Sequence, residues 1–122
     1  MEHKPQKPTI EFAALEMLDI RMCRIESVEP ILKNPKKEPA EDNPVKAYKL
    51  VIDAGLDKRE CVTNLIQFAP GLLQDAICPF ILNLPSATIR GVESKAMIVA
   101  SSGDIIDLLQ GSKHVREGDV VL

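Results

Sequence analysis

The chain has 122 residues, enough for one domain with a single core, and its 45% hydrophobic and 27% charged content is ordinary for a globular protein. A net charge of −3 and a pI near 5.4 speak against a general nucleic-acid binder, which carries a basic footprint. The longest apolar run, Ala76 to Leu84, is broken by Pro79 and Asn83 and is far too short to cross a bilayer.

In chain order, residues 1–9 are polar with two prolines and are expected to form a flexible arm, leaving 10–122 as the domain. The start, Met1-Glu2-His3-Lys4-Pro5, has no apolar segment of signal-peptide type, so a cytoplasmic location is expected. Ile10, Ala13, Ala14, Met17 and Leu18 fall at helical spacing, with Thr9 placed as an N-cap and Glu11 in the first turn. A short helix is predicted there, with an apolar face that needs either the core or another subunit. Asp19 to Glu29 reads as a long strand. Its inward parity changes between Met22 and Ile25, which predicts a β-bulge at Cys23.

Pro30 to Pro44 reads as a solvated loop, with Lys33, Lys36 and Lys37 followed by Glu38, Glu41 and Asp42. Lys46 to Ala54 alternates cleanly and predicts a half-buried strand carrying Tyr48, Leu50 and Ile52 inward. A turn at Gly55 to Lys58 then makes a hairpin into Glu60 to Ile66, and Ala69-Pro70-Gly71 starts one helical turn. Ala76 to Leu84 is an apolar strand whose Pro79 implies an edge position or a bulge. Ala96 to Ser101, Ile105 to Leu109 and Val120 to Leu122 complete a set of short strands. Many short strands, frequent turns and one clear helix indicate an all-β barrel or sandwich.

Enzyme chemistry finds little support. The chain has no nucleophile elbow, phosphate-binding loop, zinc-protease helix or dinucleotide fingerprint. Its three cysteines, Cys23, Cys61 and Cys78, are widely spaced in apolar runs, and His3 and His114 lie near the two ends. No metal site and no cofactor are expected. Cys61 follows Arg59 and Glu60, where a neighbouring cation could activate a thiol, but a strand cysteine is the simpler reading.

The stretch from Asn83 to Ser102 holds more information. Pro85 takes the chain out of regular pairing, Gly91 permits a turn back, and Arg90 is the single base between Arg59 and Lys95. Aromatic stacking platforms are scarce: one Tyr, three Phe and no Trp. Tyr48, beside Lys46 and Lys49, is either an exposed platform or a core tyrosine. Sequence-specific reading of extended single strands is disfavoured, whereas recognition of folded RNA by shape, phosphate and 2′-hydroxyl needs few aromatics.

Asn-Leu-Pro-x-x-x-Ile-Arg-Gly-Val-x-Ser-x-x-Met, from Asn83 to Met97, resembles the signature of the tRNA-binding domain family, which includes synthetase-appended domains, the endothelial-monocyte-activating polypeptide and the CsaA chaperone. Leu18-Asp19-Ile20-Arg21 resembles the family's opening, Lys46 to Gly55 its CsaA-like second strand, and Glu117-Gly118-Asp119 its close. Three features depart from the pattern: Cys23 replaces a glycine, Asn64 replaces another, and a longer lysine and proline loop precedes the second strand.

The resemblance implies a five-stranded oligonucleotide/oligosaccharide-binding (OB) barrel with a short N-terminal helix and extra C-terminal strands, binding tRNA by its overall shape without catalysis. Asn83, Arg90 and Ser94 are the motif positions carried over as RNA contacts, with Ser86 in the same loop, and Ser94 equally suits a supporting role. Lys95, Arg21 and Lys46 join them from charge and placement, and Tyr48 as the stacking candidate. Pro85, Gly91 and Met97 are expected to support the loop. The implied partners are tRNA, an aminoacyl-tRNA synthetase and a second copy in a homodimer, with no membrane. The alternatives are a CsaA-like peptide-binding chaperone and a scaffold subunit of a synthetase complex.

Overall fold

Alternation of apolar and polar side chains drives the central chain into strands, and the faces it predicts are the faces observed. Tyr48, Leu50, Ile52 and Ala54 are buried, whereas Lys49, Val51 and Asp53, on the alternate face, are half-buried. The computed structural model describes residues 3–122. Helix α1 (Phe12–Glu16) precedes strands β1 (Ile20–Leu32), β2 (Val45–Asp53) and β3 (Lys58–Thr63). Helix α2 (Pro70–Leu73) leads into β4 (Ile77–Ile81). The short strands β5 (Ala87–Ile89), β6 (Val92–Ser94), β7 (Met97–Ile98), β8 (Ala100–Ser102) and β9 (Ile106–Leu108) follow.

Five strands form one antiparallel sheet in the order β3-β2-β1-β4-β7, while β5-β6 and β8-β9 are separate hairpins. The sheet curls until its two ends approach. Lys95 N–H donates to Glu60 O at 3.0 Å, and Val62 N–H donates to Ser94 Oγ at 3.1 Å. The enclosed core holds Cys23, Ile25, Leu50, Ile52, Cys61, Leu73, Cys78 and Phe80. This is the expected all-β, OB-like architecture.

Several local expectations need correction. The register shift in β1 lies between Ile25 and Ser27, and Cys23 pairs regularly with Cys78, so the bulge centres on Glu26. Strand β1 also runs through Pro30 to Leu32, because beyond Arg24 only β2 pairs with it and the proline meets no second ladder. Pro79 is in an interior strand. Its carbonyl accepts from Val99 N–H at 2.9 Å, but it has no N–H to return, and the β4–β7 pairing stops at Phe80. Helix α1 begins after Glu11 with no side-chain cap, so Thr9 does not cap it, and none of its residues is buried. Residues 3–9 carry no regular structure and are exposed, while the first two residues of the expected arm lie outside the described residues. The expected final strand is reduced to one bridge, Arg21 with Val120.

That C-terminal segment nevertheless closes the fold. It lies along the stretch of β1 that β2 leaves unpaired, with Met22 N–H donating to Asp119 O at 2.8 Å, Gly118 N–H to Met22 O at 2.8 Å and Val121 N–H to Ile20 O at 2.8 Å. The Arg24 guanidinium donates to the Glu117 carboxylate beside it. The carboxyl of Glu117 is held below the usual range by its own backbone N–H and then by Arg24. The β2–β3 turn meets this segment glycine to glycine. Gly55 (φ +80) and Gly118 (φ +91) approach so closely that a Cβ on Gly55 would lie 2.7 Å from Gly118 Cα and 2.8 Å from Glu117 O. A Cβ on Gly118 would meet Ala54 O and Gly55 Cα at 3.2 Å.

Gly118→Ala is therefore expected to destabilise by about 1–2 kcal/mol through its positive φ, and Gly55→Ala by more, because only backbone can yield. Urea unfolding measures both. Losses below about 0.5 kcal/mol for each would show that the segment is a passive tail.

Candidate functional site

The Asn83–Met97 stretch leaves the barrel at Leu82 and returns at Lys95, and both ends are fastened by one guanidinium. Arg59 Nη1 donates to Leu82 O at 2.8 Å and to Lys95 O at 3.2 Å, while its Nε pairs with Asp57 at 3.0 Å. Asn83 adds a second clamp at the exit: its Oδ1 accepts from Asp19 N–H at 2.8 Å and its Nδ2 donates to Met17 O at 2.6 Å. Pro85 follows, where the chain is free of the ladder. The excursion then forms the β5–β6 hairpin with Ala87 opposite Ser94, Thr88 opposite Glu93 and Ile89 opposite Val92.

Two residues close that hairpin, Arg90 (φ 49) and Gly91 (φ 82), so it is a type I′ turn. Such a turn needs positive φ at both central positions. Gly91 adopts it without strain, while Arg90 does so against the usual preference for Asn, Asp or Gly. Arg90 is exposed at the hairpin tip.

Arg90 borders two grooves. One, of about 570 Å³, runs past Lys46, Asn64, Ile89 and Met97. The other, of about 310 Å³, runs past Pro30, Pro35, Lys49 and Val92. Lys46 and Arg90 have no carboxylate within ion-pair distance among the described residues. Lys49, by contrast, lies between Glu29 at 3.7 Å and Glu60 at 3.6 Å. Among the cations lining these two grooves, Arg90 and Lys46 are therefore the unpaired ones.

The other residues expected at the site are distributed differently. Tyr48 is 5% exposed and its hydroxyl donates to Phe68 O at 2.8 Å, so it is a core tyrosine and no stacking platform. Ser94 is buried, accepts from Val62 N–H and donates to Ala96 O at 3.3 Å, so its hydroxyl is occupied by the barrel seam. Met97, expected inside the loop, is 50% exposed and lines the larger groove, because β7 leaves its outward face uncovered. Arg21 pairs through Nε with Asp19 at 2.9 Å and borders neither groove. Lys95 lies with Lys58 and Glu93 around a smaller depression, and Ser86 is exposed on the loop. Asn83 is spent on its clamp. Arg59 and Asn64 were missed from the sequence. Arg59 had no signal because its two carbonyl partners lie 23 and 36 residues away.

Nothing at the site offers nucleophilic or metal chemistry. Burial pushes the Cys23 and Cys61 thiols up to about 12 and that of Cys78 to about 11, so all three stay protonated at neutral pH. No cluster of potential metal ligands occurs among the described residues.

Replacing Ser94 by Ala removes the acceptor of the half-buried Val62 N–H and is expected to cost about 1–2 kcal/mol in thermal unfolding, whereas Tyr48→Phe is expected to cost about 0.5–1.5 kcal/mol. A Ser94→Ala protein as stable as the parent would show that the seam does not depend on this hydroxyl.

Comparison with known proteins agrees with this geometry. Residues 33–120 match the family model described as "Putative tRNA binding domain". A methionine–tRNA ligase from Methanoculleus marisnigri is 39% identical over 115 residues, which cover 93% of this chain and 16% of that protein. The chain thus spans about a sixth of the length of that curated relative. Among solved structures, a MetRS-related protein from Pyrococcus horikoshii superposes with a TM-score of 0.81 at 21% identity, covering 95% of this chain and 100% of that one. The chaperone CsaA from Bacillus anthracis superposes with a TM-score of 0.76 at 18% identity, covering 94% and 100%. Identities this low establish a shared fold. The family model extends from the lysine-bearing loop through the Arg90 hairpin to the closing Gly118-Asp119 segment, and the chain belongs to the tRNA-binding domain family, related to a part of methionine–tRNA ligases.

Proposed function

We propose that the domain, residues 10–122, binds folded tRNA by shape and backbone contacts. It would do so without catalysis of its own and in the cytoplasm, and would thereby assist an aminoacyl-tRNA synthetase, as a domain or as a separate scaffold subunit. The observation that carries this reading is Arg90, held at positive φ on a hairpin anchored at both ends, between two solvent-open grooves. Arg90 and Lys46 are the phosphate contacts, and Lys95 and Ser86 extend them along the loop. Asn83, Ser94 and Arg21 act through the shape of the hairpin and barrel. No aromatic ring is among the residues lining the two grooves, which suits a partner whose bases are already paired. The chaperone alternative has only the shared fold in its favour.

Labelled tRNA titrated at several salt concentrations tests this. Asn adopts positive φ more readily than Arg, so Arg90→Asn keeps the hairpin and removes only the charge. The expected result is weaker binding and a log–log salt slope smaller by about one, with unfolding unchanged. Failure of the unsubstituted chain to bind tRNA at low salt ends the reading.

The domain is further proposed to work as a homodimer through α1 and the C-terminal segment. Phe12 (70% exposed), Leu15, Leu18, Val120 and Val121 line one apolar groove of about 340 Å³. A five-residue helix with no buried side chain has no tertiary support of its own. A second copy would cover the same patch on both partners. Light scattering is expected to give twice the 13.4 kDa chain mass, and Phe12→Glu with Leu15→Glu the single mass with circular dichroism retained. A monomeric parent chain would refute the dimer.

A further inference from the structure

Residues 33–44, between β1 and β2, are long for a hairpin connection, yet they are tightly organised around one side chain. Asn43 is 5% exposed. Its Oδ1 accepts from Asn34 N–H at 2.7 Å, and its Nδ2 donates to the carbonyls of Asn34 (3.1 Å), Lys37 (3.2 Å) and Glu38 (2.9 Å). Lys36 N–H donates to Asn34 Oδ1 at 3.0 Å, and Lys33 N–H closes the base on Pro44 O at 2.9 Å. Both ends of one buried amide thus hold the limb from Asn34 to Glu38 in a single bend.

That limb presents Lys33, Lys36 and Lys37. All three are exposed, and none has a carboxylate within ion-pair distance among the described residues. Of the acids of the loop, Glu38 ends that limb, and Glu41 and Asp42 lie on the returning one. The lysine limb adjoins the site already described, since Pro35 and Arg90 line the same groove. The carboxylate in that groove, Glu29, lies 3.7 Å from Lys49, which it shares with Glu60.

We propose that this loop is a second phosphate-contact element for the folded RNA bound at the Arg90 turn, and that Asn43 is its positioning residue. The inference rests on the tRNA-binding reading above and extends its footprint across the smaller groove. Bracing the bend in advance lowers the ordering cost that a flexible lysine loop would incur on binding. A loop outside the signature motif then supplies three free cations, against two, Arg90 and Lys95, in the motif region.

The test uses the whole chain with labelled tRNA over a range of salt concentrations. Lys33→Gln, Lys36→Gln and Lys37→Gln combined alter only exposed side chains and are expected to fold normally. Their salt slope is expected to fall by about 2–3, in keeping with roughly 0.7–0.9 per phosphate contact. Asn43→Ala is expected to weaken binding in the parent and to have no further effect in the triple variant, because its role is to place those lysines. If Asn43→Ala does not fold, the triple variant decides by itself. Parent-like affinity and slope in the triple variant overturn this inference while leaving the Arg90 reading intact. Equal losses from Asn43→Ala in both backgrounds overturn the positioning role. No binding by the parent chain overturns both readings together.

Discussion

The barrel depends on a seam that β-sheet pairing alone does not complete. Strands β3 and β6 meet through one backbone bond, Lys95 N–H to Glu60 O, and one side-chain bond, Val62 N–H to Ser94 Oγ. A serine thus supplies the acceptor that a further ladder residue would otherwise provide, and it is buried because the seam is internal. The same residue ends the β5–β6 hairpin. Closing the barrel and aiming the hairpin are therefore one event, with Arg59 tying the excursion's two ends together. Arg90 owes its place to these contacts more than to any contact of its own.

An acidic protein that binds a polyanion has to concentrate its free cations. Several cations are tied up by carboxylates: Arg21 lies beside Asp19, Arg24 beside Glu117, Lys58 beside Glu26, Lys49 between Glu29 and Glu60, and Arg59 beside Asp57. What remains unpaired along the grooves is Arg90, Lys46 and the lysine limb. A net charge of −3 gives no long-range attraction to RNA, and screening removes most of any field beyond about 8 Å in physiological salt. Affinity must then come from fit at short range, which favours rigid cations on a shaped surface over a diffuse basic face.

The fold was largely legible because its signals are local. Alternation through Tyr48, Leu50 and Ile52 gave the inward face of β2, and turn residues marked the hairpins. Tyr48 shows the limit. Its lysine neighbours at 46 and 49 suggest exposure, but Lys49 has the opposite parity, Lys46 is at the exposed start of the strand, and the ring faces inward to Phe68 O. The Glu26 bulge was misplaced to Cys23 because a parity change locates a slip only within a few residues. Arg59 and Asn43 were invisible as organisers, since their partners are backbone carbonyls that any residue could supply. Helix α1 is legible from periodicity, but periodicity cannot say that none of its residues is buried among the described residues.

The signature motif takes on a particular meaning in this light. Of its residues, Asn83, Pro85, Gly91 and Ser94 shape, clamp and close the hairpin, while Ile89, Arg90, Val92 and Met97 line the grooves, and Arg90 is the one charge among them. A motif of this kind encodes a scaffold with a single positioned charge. Discrimination among folded RNAs must then be carried by residues beyond it, on elements whose length and charge can vary without disturbing the seam. The 33–44 loop meets that condition: it springs from the edge of β1 past the reach of β4, and its internal order depends on Asn43, far from Ser94 in the chain and in no contact with the barrel closure. Shape recognition by the hairpin and charge recognition by the loop are in this way separable in the structure, although they share one groove.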